Sequence, residues 1–303
     1  MITRRGLLRS ALRGAVLTGI AGGYASAVEP FRLRVQAYRL RPPDWPEGLR
    51  LRIAALADIH ACEPWMSVNR VRHVVERTNA LRPDLTVLLG DYVGGHRYVT
   101  DWVHSRDWAP ALGDLNARMG VYAVMGNHDW WEDRTAQRDE TGPTFGHRAL
   151  AAAGITVLEN DAIRFKTAEG PFWLAGLGDQ LAFHPWRGDR WQPWRGMDDL
   201  PGTLAKITDE SPTILLAHEP DIFPQIPARI ALTLAGHTHG GQVRLAGYSP
   251  VVPSRFKNRY AYGHVREPRP GGHTDMIVSG GLGCSIMPVR FGVPPEIVLI
   301  ELG

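Results

Sequence analysis

The chain has 303 residues, 44% hydrophobic and 21% charged, enough apolar content to bury a sizeable core in one large domain or two small ones. Its two cysteines, Cys62 and Cys284, exclude a disulfide scaffold and a thiolate metal cage and leave at most one bridge open. The formal net charge of +3 is set by the start of the chain, where Arg4, Arg5, Arg9 and Arg13 come without an acid; without residues 1–27 it drops by four units to −1, which argues against a specific nucleic-acid partner.

The opening segment reads as an address. "TRRGLLR" precedes the apolar stretch "GAVLTGIAGGYASAV", and Ala25-Ser26-Ala27 offers small residues where a signal peptidase cuts. Paired Arg4 and Arg5 ahead of Leu7 and Leu8 resemble a twin-arginine signal, which implies export of a folded protein by the twin-arginine machinery to the periplasm or cell envelope. The expected division is a signal peptide at 1–27 and a single domain at 28–303. An uncleaved membrane anchor is the alternative, although the apolar run is shorter than the roughly 20 residues of a spanning helix.

From Phe31, "FRLRVQAYRL" alternates like a half-exposed strand until "RPPDWPEG" breaks it. One event then recurs five times, an apolar run ending in a polar cluster. "LRIAALA" runs into Asp58-Ile59-His60, "LTVLL" into Gly90-Asp91, and "VYAVM" into Gly126-Asn127-His128-Asp129. "TILLA" runs into His218, and "IALTLA" into Gly236-His237-Thr238-His239. Between the first two runs, Ser67 is placed to cap a helix with Val68, Val71, Val74, Val75 and Leu81 at helical spacing. Strand, helix, strand is a crossover unit and predicts a parallel pairing. Further helices are expected over 107–118 and 144–153.

Ligands of open α/β sheets bind beyond the carboxyl ends of the strands, so all five clusters should converge. They pool Asp58, His60, Asp91, Asn127, His218, His237 and His239, oxygen and imidazole donors that suit zinc, manganese, iron or nickel in the two-plus state. Seven donors exceed what one tetrahedral ion needs; two ions sharing a carboxylate would use them all. The other histidines, His73, His96, His104, His147, His184, His264 and His273, lack this framing and read as surface or loop residues.

The ordered set DxH, GD, GNHD, lone His and GHTH resembles the signature of the calcineurin-like metallophosphoesterase family, over roughly residues 50–302. "GLGCSIMPVRFGVPPEIVLIEL" is similar to the C-terminal region of its bacterial exported phosphodiesterase branch. The resemblance implies an α/β fold, a four-layer α-β-β-α sandwich of two mixed sheets with a dinuclear metal site at the strand C-terminal edge. It implies two divalent transition-metal ions, one on Asp58, His60 and His239 and one on Asn127, His218 and His237, with Asp91 bridging. His128 is left free as the catalytic acid or charge stabiliser, and Asp129 as a residue that orients a neighbour or caps the loop. The implied reaction is phosphodiester hydrolysis, because two ions can share and ionise a water between them.

"GDYVGGH" lacks the Asp-Arg pair with which the family's phosphoprotein phosphatases grip a monoester, and Gly94 and Gly95 are expected to leave room for a diester's second substituent. "FHPWRGDRWQPWRG" brings Trp186, Trp191 and Trp194 among Arg187, Arg190 and Arg195, either as a substrate-facing lid or as indoles packed on the domain. Rival functions are a pyrophosphatase acting on a lipid-linked sugar nucleotide such as UDP-diacylglucosamine, in contact with a membrane surface, and a non-catalytic metal-binding envelope protein.

Overall fold

The computed structural model describes residues 4–42, 45–187, 190–270 and 272–303. In chain order the strands of its two main sheets begin with β1 (Arg34–Leu40), β2 (Leu51–Leu56), β3 (Leu85–Leu88), β4 (Val121–Ala123), β5 (Thr156–Val157) and β6 (Asp161–Lys166). They continue with β7 (Pro171–Gly176), β8 (Thr213–Leu216), β9 (Ile230–Ala235), β10 (Gly263–Arg269), β11 (Gly272–Val278) and β12 (Glu296–Leu302). One six-stranded sheet has the order β1-β12-β2-β3-β4-β5 and the other β10-β11-β9-β8-β7-β6. Strands β2 to β5 are parallel, as are β7, β8, β9 and β11. Antiparallel β12, β6 and β10 make both sheets mixed.

The five apolar runs are the strands β2, β3, β4, β8 and β9, and they run apolar without alternation because both faces of each sheet are covered. Ile53, Val87, Leu174, Ile214, Leu232 and Ile300 fill the space between the sheets. Helices α2 (Val68–Ala80), α3 (Ser105–Gly113) and α5 (Phe145–Ala152) cover the outer face of the first, with Val71, Trp108 and Leu150 against Leu56 and Leu88. Helix α6 (Leu200–Ala205) and the 3-10 turn Pro220–Gln225 cover the second, with Leu200 and Phe223 against Leu215 and Met276. The result is the four-layer α-β-β-α sandwich. Truncating a buried strand residue such as Ile53 to Ala would cost about 2–5 kcal/mol.

Local rules explain the helix ends. The Ser67 side chain accepts from Arg70 N, as expected of a cap. Helix α3 stops well short of residue 118 because the Asn79 side chain takes the next backbone groups, donating to Asp114 O at 2.9 Å and accepting from Asn116 N at 2.8 Å. The first helix, α1 (Arg4–Ala27), meets the domain in its last turn. There the Tyr24 ring lies edge-on to Phe291 and Ala25 O accepts from Arg290 N at 2.9 Å. Among the described residues, no helix is long and apolar enough to cross a membrane. Cys62 and Cys284 are buried free thiols.

Candidate metal centre

Each proposed donor leaves the carboxyl end of a parallel strand and must turn back at once toward its neighbours. The backbone does so in the left-handed region at Asp58, His60, Asp91, His237 and His239, with φ of 52°, 45°, 58°, 66° and 52°. That conformation costs roughly 1–2 kcal/mol per residue, tolerated here because the surrounding packing leaves no other. Glycine precedes Asp91 and Asn127 for a steric reason. A Cβ on Gly90 would lie 2.6 Å from Gly126 N, and one on Gly126 would lie 2.4 Å from Asp91 Oδ1.

All seven donors meet in one place. Asp91 Oδ2 lies 3.4 Å from His60 Nε2 and 3.3 Å from His218 Nε2, so a single carboxylate oxygen touches both halves of the cluster. On one side His60 Nε2 is 3.1 Å from His239 Nε2, which is 3.6 Å from Asp58 Oδ1. On the other, Asn127 Oδ1 is 2.8 Å from His237 Nδ1 and 3.2 Å from His218 Nε2. The rings are oriented from behind: His60 Nδ1 donates to Val93 O at 2.8 Å and His218 Nδ1 to Leu89 O at 2.6 Å, so both Nε2 atoms face inward.

This donor set fits a pair of divalent ions. Burial pushes His60 and His237 down to about 3, and burial together with His60 holds His239 well below the usual imidazole value, so these rings are neutral. Burial and the neighbouring Asp91 push Asp58 up to about 7, and its Oδ2 is buried without a hydrogen-bond partner. Asp91 goes the other way: burial would raise it, but the rings of His218, His128 and His60 outweigh burial and hold it well below the carboxylate range. His218 is held well above its usual value by Asp91 and Glu219 against the effect of burial. Donor atoms about 3 Å apart around crowded carboxylates are the spacing of ligands that share a divalent ion.

His128 stands apart from the donors. Its backbone N donates to Asp91 Oδ1 at 2.9 Å, and its ring lies edge-on to His60 at 5.1 Å, with Nδ1 buried and without a partner. Asp129 both caps and orients, accepting from Gly126 N, Asp91 N and Tyr92 N, each at 2.9 Å. It thereby locks the loop of Asp91 to the turn that carries Asn127.

Several sequence expectations are corrected. Gly94 and Gly95 do not leave room: a Cβ there would sit 2.7 Å from the Trp102 ring and 2.7 Å from His60 Nδ1, so these glycines permit close packing. His96 lies in a loop, as expected, but is buried there, and neither ring nitrogen has a hydrogen-bond partner. In the Trp and Arg segment, Arg195 pairs with Glu140 and lies over Phe183, so it is spent on packing. Trp191 is exposed, whereas Trp194 stacks on Trp131 at 5.5 Å between centroids. The side chains of Trp186, Arg187 and Arg190 lie outside the described residues.

The structure adds residues that sequence reasoning missed. Trp131 is three residues beyond His128 on helix α4 (Asn127–Trp131), and its ring lies 5.0 Å from the His128 ring. Helical spacing could have found it. Asp179 and Glu219 form a buried acidic pair within reach of His218. The signal for Asp179 was present, since "FWLAGLGD" repeats the pattern of an apolar strand ending in Gly-Asp. Arg290 is fully buried behind His239, 3.3 Å from Nδ1, and donates to the carbonyls of Gly280, Gly283 and Val293. Nothing local marked it.

The sequence profile of the calcineurin-like phosphoesterases matches residues 51–241. The chain is 28% identical over 301 residues to the uncharacterized metallophosphoesterase YkuE of Bacillus subtilis, covering 98% of this chain and 95% of that protein. It is 28% identical over 306 residues to the phosphodiesterase YaeI of Escherichia coli, covering 100% of both. It is 31% identical to a transmembrane protein with metallophosphoesterase domain of Bos taurus, covering 99% of this chain and 64% of that protein.

Proposed function

Because the chain belongs to the calcineurin-like phosphoesterase family, whose dimetal members use two divalent ions, we propose that this metallophosphoesterase hydrolyses phosphodiesters in the cell envelope. The observation that carries the reading is Asp91 Oδ2, set between His60 Nε2 and His218 Nε2. Asp58, His60 and His239 would hold one ion, Asn127, His218 and His237 the other, and Asp91 both.

The bound pair would supply Lewis acidity toward the phosphoryl oxygens and ionise the attacking water. The rest falls to the chain. Left-handed turns and buried hydrogen bonds fix the donors before substrate arrives, so little reorganisation is needed. Asp91 Oδ1, through the His128 backbone N, sets that ring beside the donors, where it gives its proton to the departing alkoxide. Asn127 contributes a neutral oxygen, which keeps the site open to an anionic phosphate.

A diester, with one negative charge, is favoured over a monoester dianion because "GDYVGGH" offers no arginine beside Asp91. The name of the Escherichia coli relative is consistent with this choice. Metal-loaded protein should turn over bis(4-nitrophenyl) phosphate faster than 4-nitrophenyl phosphate, and chelation should stop both reversibly; a preference for the monoester would overturn the assignment. Export is part of the proposal and rests on Arg4, Arg5 and the Ala25-Ser26-Ala27 run. Replacing Arg4 and Arg5 by Lys should leave folded protein in the cytoplasm, and unchanged export of that variant would refute the twin-arginine route.

A further inference from the structure

An aromatic wall begins at His128. The His128 ring is 5.0 Å from Trp131, Trp131 is 5.5 Å from Trp194 at an interplanar angle of 27°, and His184 is 4.8 Å from Trp131. The wall is built to stay in place. Trp131 Nε1 donates to Leu181 O at 2.8 Å, while Gln137 Nε2 donates to Ala182 O at 2.6 Å and its Oε1 accepts from His184 N at 3.0 Å. Yet Trp194 remains 45% exposed, so the stack leaves indole surface open. It faces a cleft of about 600 Å³ that His237 also lines, so the cleft reaches the donor cluster.

The charge of the cleft decides what such a wall would hold. Asp198 and Asp221 line it, with the buried Glu219 behind them, against a single guanidinium among the described residues, Arg255. Arg255 is committed to Asp221, whose carboxylate accepts from its backbone N at 3.0 Å and whose carbonyl accepts from Nη2 at 2.9 Å. Among the described residues, a second phosphate entering here would meet the carboxylate of Asp198 and an Arg255 already paired with Asp221, which disfavours a pyrophosphate. Indole faces beside carboxylates attract an organic cation instead.

We propose that this cleft is a subsite for an ammonium-bearing alcohol, the group that leaves when the diester is cleaved. The proposal rests on the reading of His128 as donor to the leaving group, because the wall starts at that ring. In the balanced step, water adds to phosphorus and the bond from phosphorus to the amino-alcohol oxygen breaks. The electron pair stays on that oxygen, which takes the His128 proton, and water's spare proton restores the imidazole. The products are a phosphomonoester and a choline- or ethanolamine-type alcohol.

The test compares glycerophosphocholine with the diester of 3,3-dimethylbutanol, the uncharged isostere of choline, using metal-loaded enzyme. The choline ester is expected to have kcat/KM about tenfold higher. Because both share the reacting phosphate, the ratio is insensitive to general losses. It should fall about fivefold in Trp194→Ala and about twofold in Asp198→Asn. A ratio of one or less in the parent enzyme, or one that stays at tenfold in folded Trp194→Ala, would overturn the subsite. Trp194→Phe, which keeps a ring with a weaker quadrupole, should give an intermediate ratio and serves if the alanine variant does not fold. Tetramethylammonium titrated against tryptophan fluorescence reads the subsite without turnover: saturable quenching that weakens in Asp198→Asn supports it, and a response no different from sodium chloride refutes it. Failure to cleave bis(4-nitrophenyl) phosphate together with saturable quenching would count against the phosphodiesterase reading alone.

Discussion

The two halves of the donor cluster share their ligand chemistry and differ in what stands behind them. Behind Asp58, His60 and His239 lies the buried guanidinium of Arg290, with the loop 279–283 clamped onto Ala57 and Asp58 through Leu282 N and Gly283 N. Behind His218 lie the carboxylates of Asp179 and Glu219, and burial together with Glu219 holds Asp179 well above the carboxylate range. One half is thus backed by a cation and closed; the other is backed by acids and opens through His237 onto the cleft. The difference teaches that nearly identical donors can hold ions of unequal affinity, because the surrounding charge is set one layer further out.

The harshest test removes what the halves share. Asp91→Asn should abolish hydrolysis and lower bound metal from about two ions per chain to below one, since one anionic oxygen serves both sets. Loss from a single half, seen by metal analysis, would break the symmetry of the bridge.

Arg290→Met attacks the closed half. It strands the buried carbonyls of Gly280, Gly283 and Val293 and should cost about 3–5 kcal/mol of stability by denaturant unfolding. Lysine should not rescue it, because an ammonium lacks the planar fork that reaches three acceptors. A stability change within about 0.5 kcal/mol would mean the guanidinium is not structural.

His128→Ala belongs to neither half. It should keep normal metal content while turnover falls about a hundredfold, less so when nitrophenolate leaves. Metal loss matching that of His218→Ala would make it a ligand.

The mildest change, Glu219→Gln, should weaken metal affinity in the open half alone by about tenfold and bring the two dissociation constants closer in an ion titration. Equal weakening of both sites would erase the proposed asymmetry.

Much of the site was legible in the sequence because its signals are local. A continuous apolar run marks a strand covered on both faces, and a Gly, Asp or His immediately after it marks a chain that turns where ligands bind. Those rules found the strands that carry Asp58, Asp91, Asn127, His218 and His237, and the crossover helix with its Ser67 cap. They failed where a residue's role depends on a partner far away in the chain. Gly94 and Gly95 looked like open space and are contact surfaces for Trp102 and His60. The tryptophans of the 183–196 segment could be read as a lid or as packed indoles, and among the described residues Trp194 stacks on Trp131 while staying partly exposed.

The sequence by itself determined which donors are offered and in what order, because strand ends and donor types are written within a few residues of one another. Only the tertiary structure decided that one oxygen of Asp91 stands between two imidazoles, that Arg290 and Glu219 give the halves opposite backing, and that Trp131 joins Trp194 beside His128. These are contacts between segments as distant as residues 60 and 239, fixed when parallel strands align their carboxyl ends in two packed sheets. Local periodicity carries no record of which distant loop a side chain will meet, so burial, charge and contact at the centre arise from the packing of the whole domain.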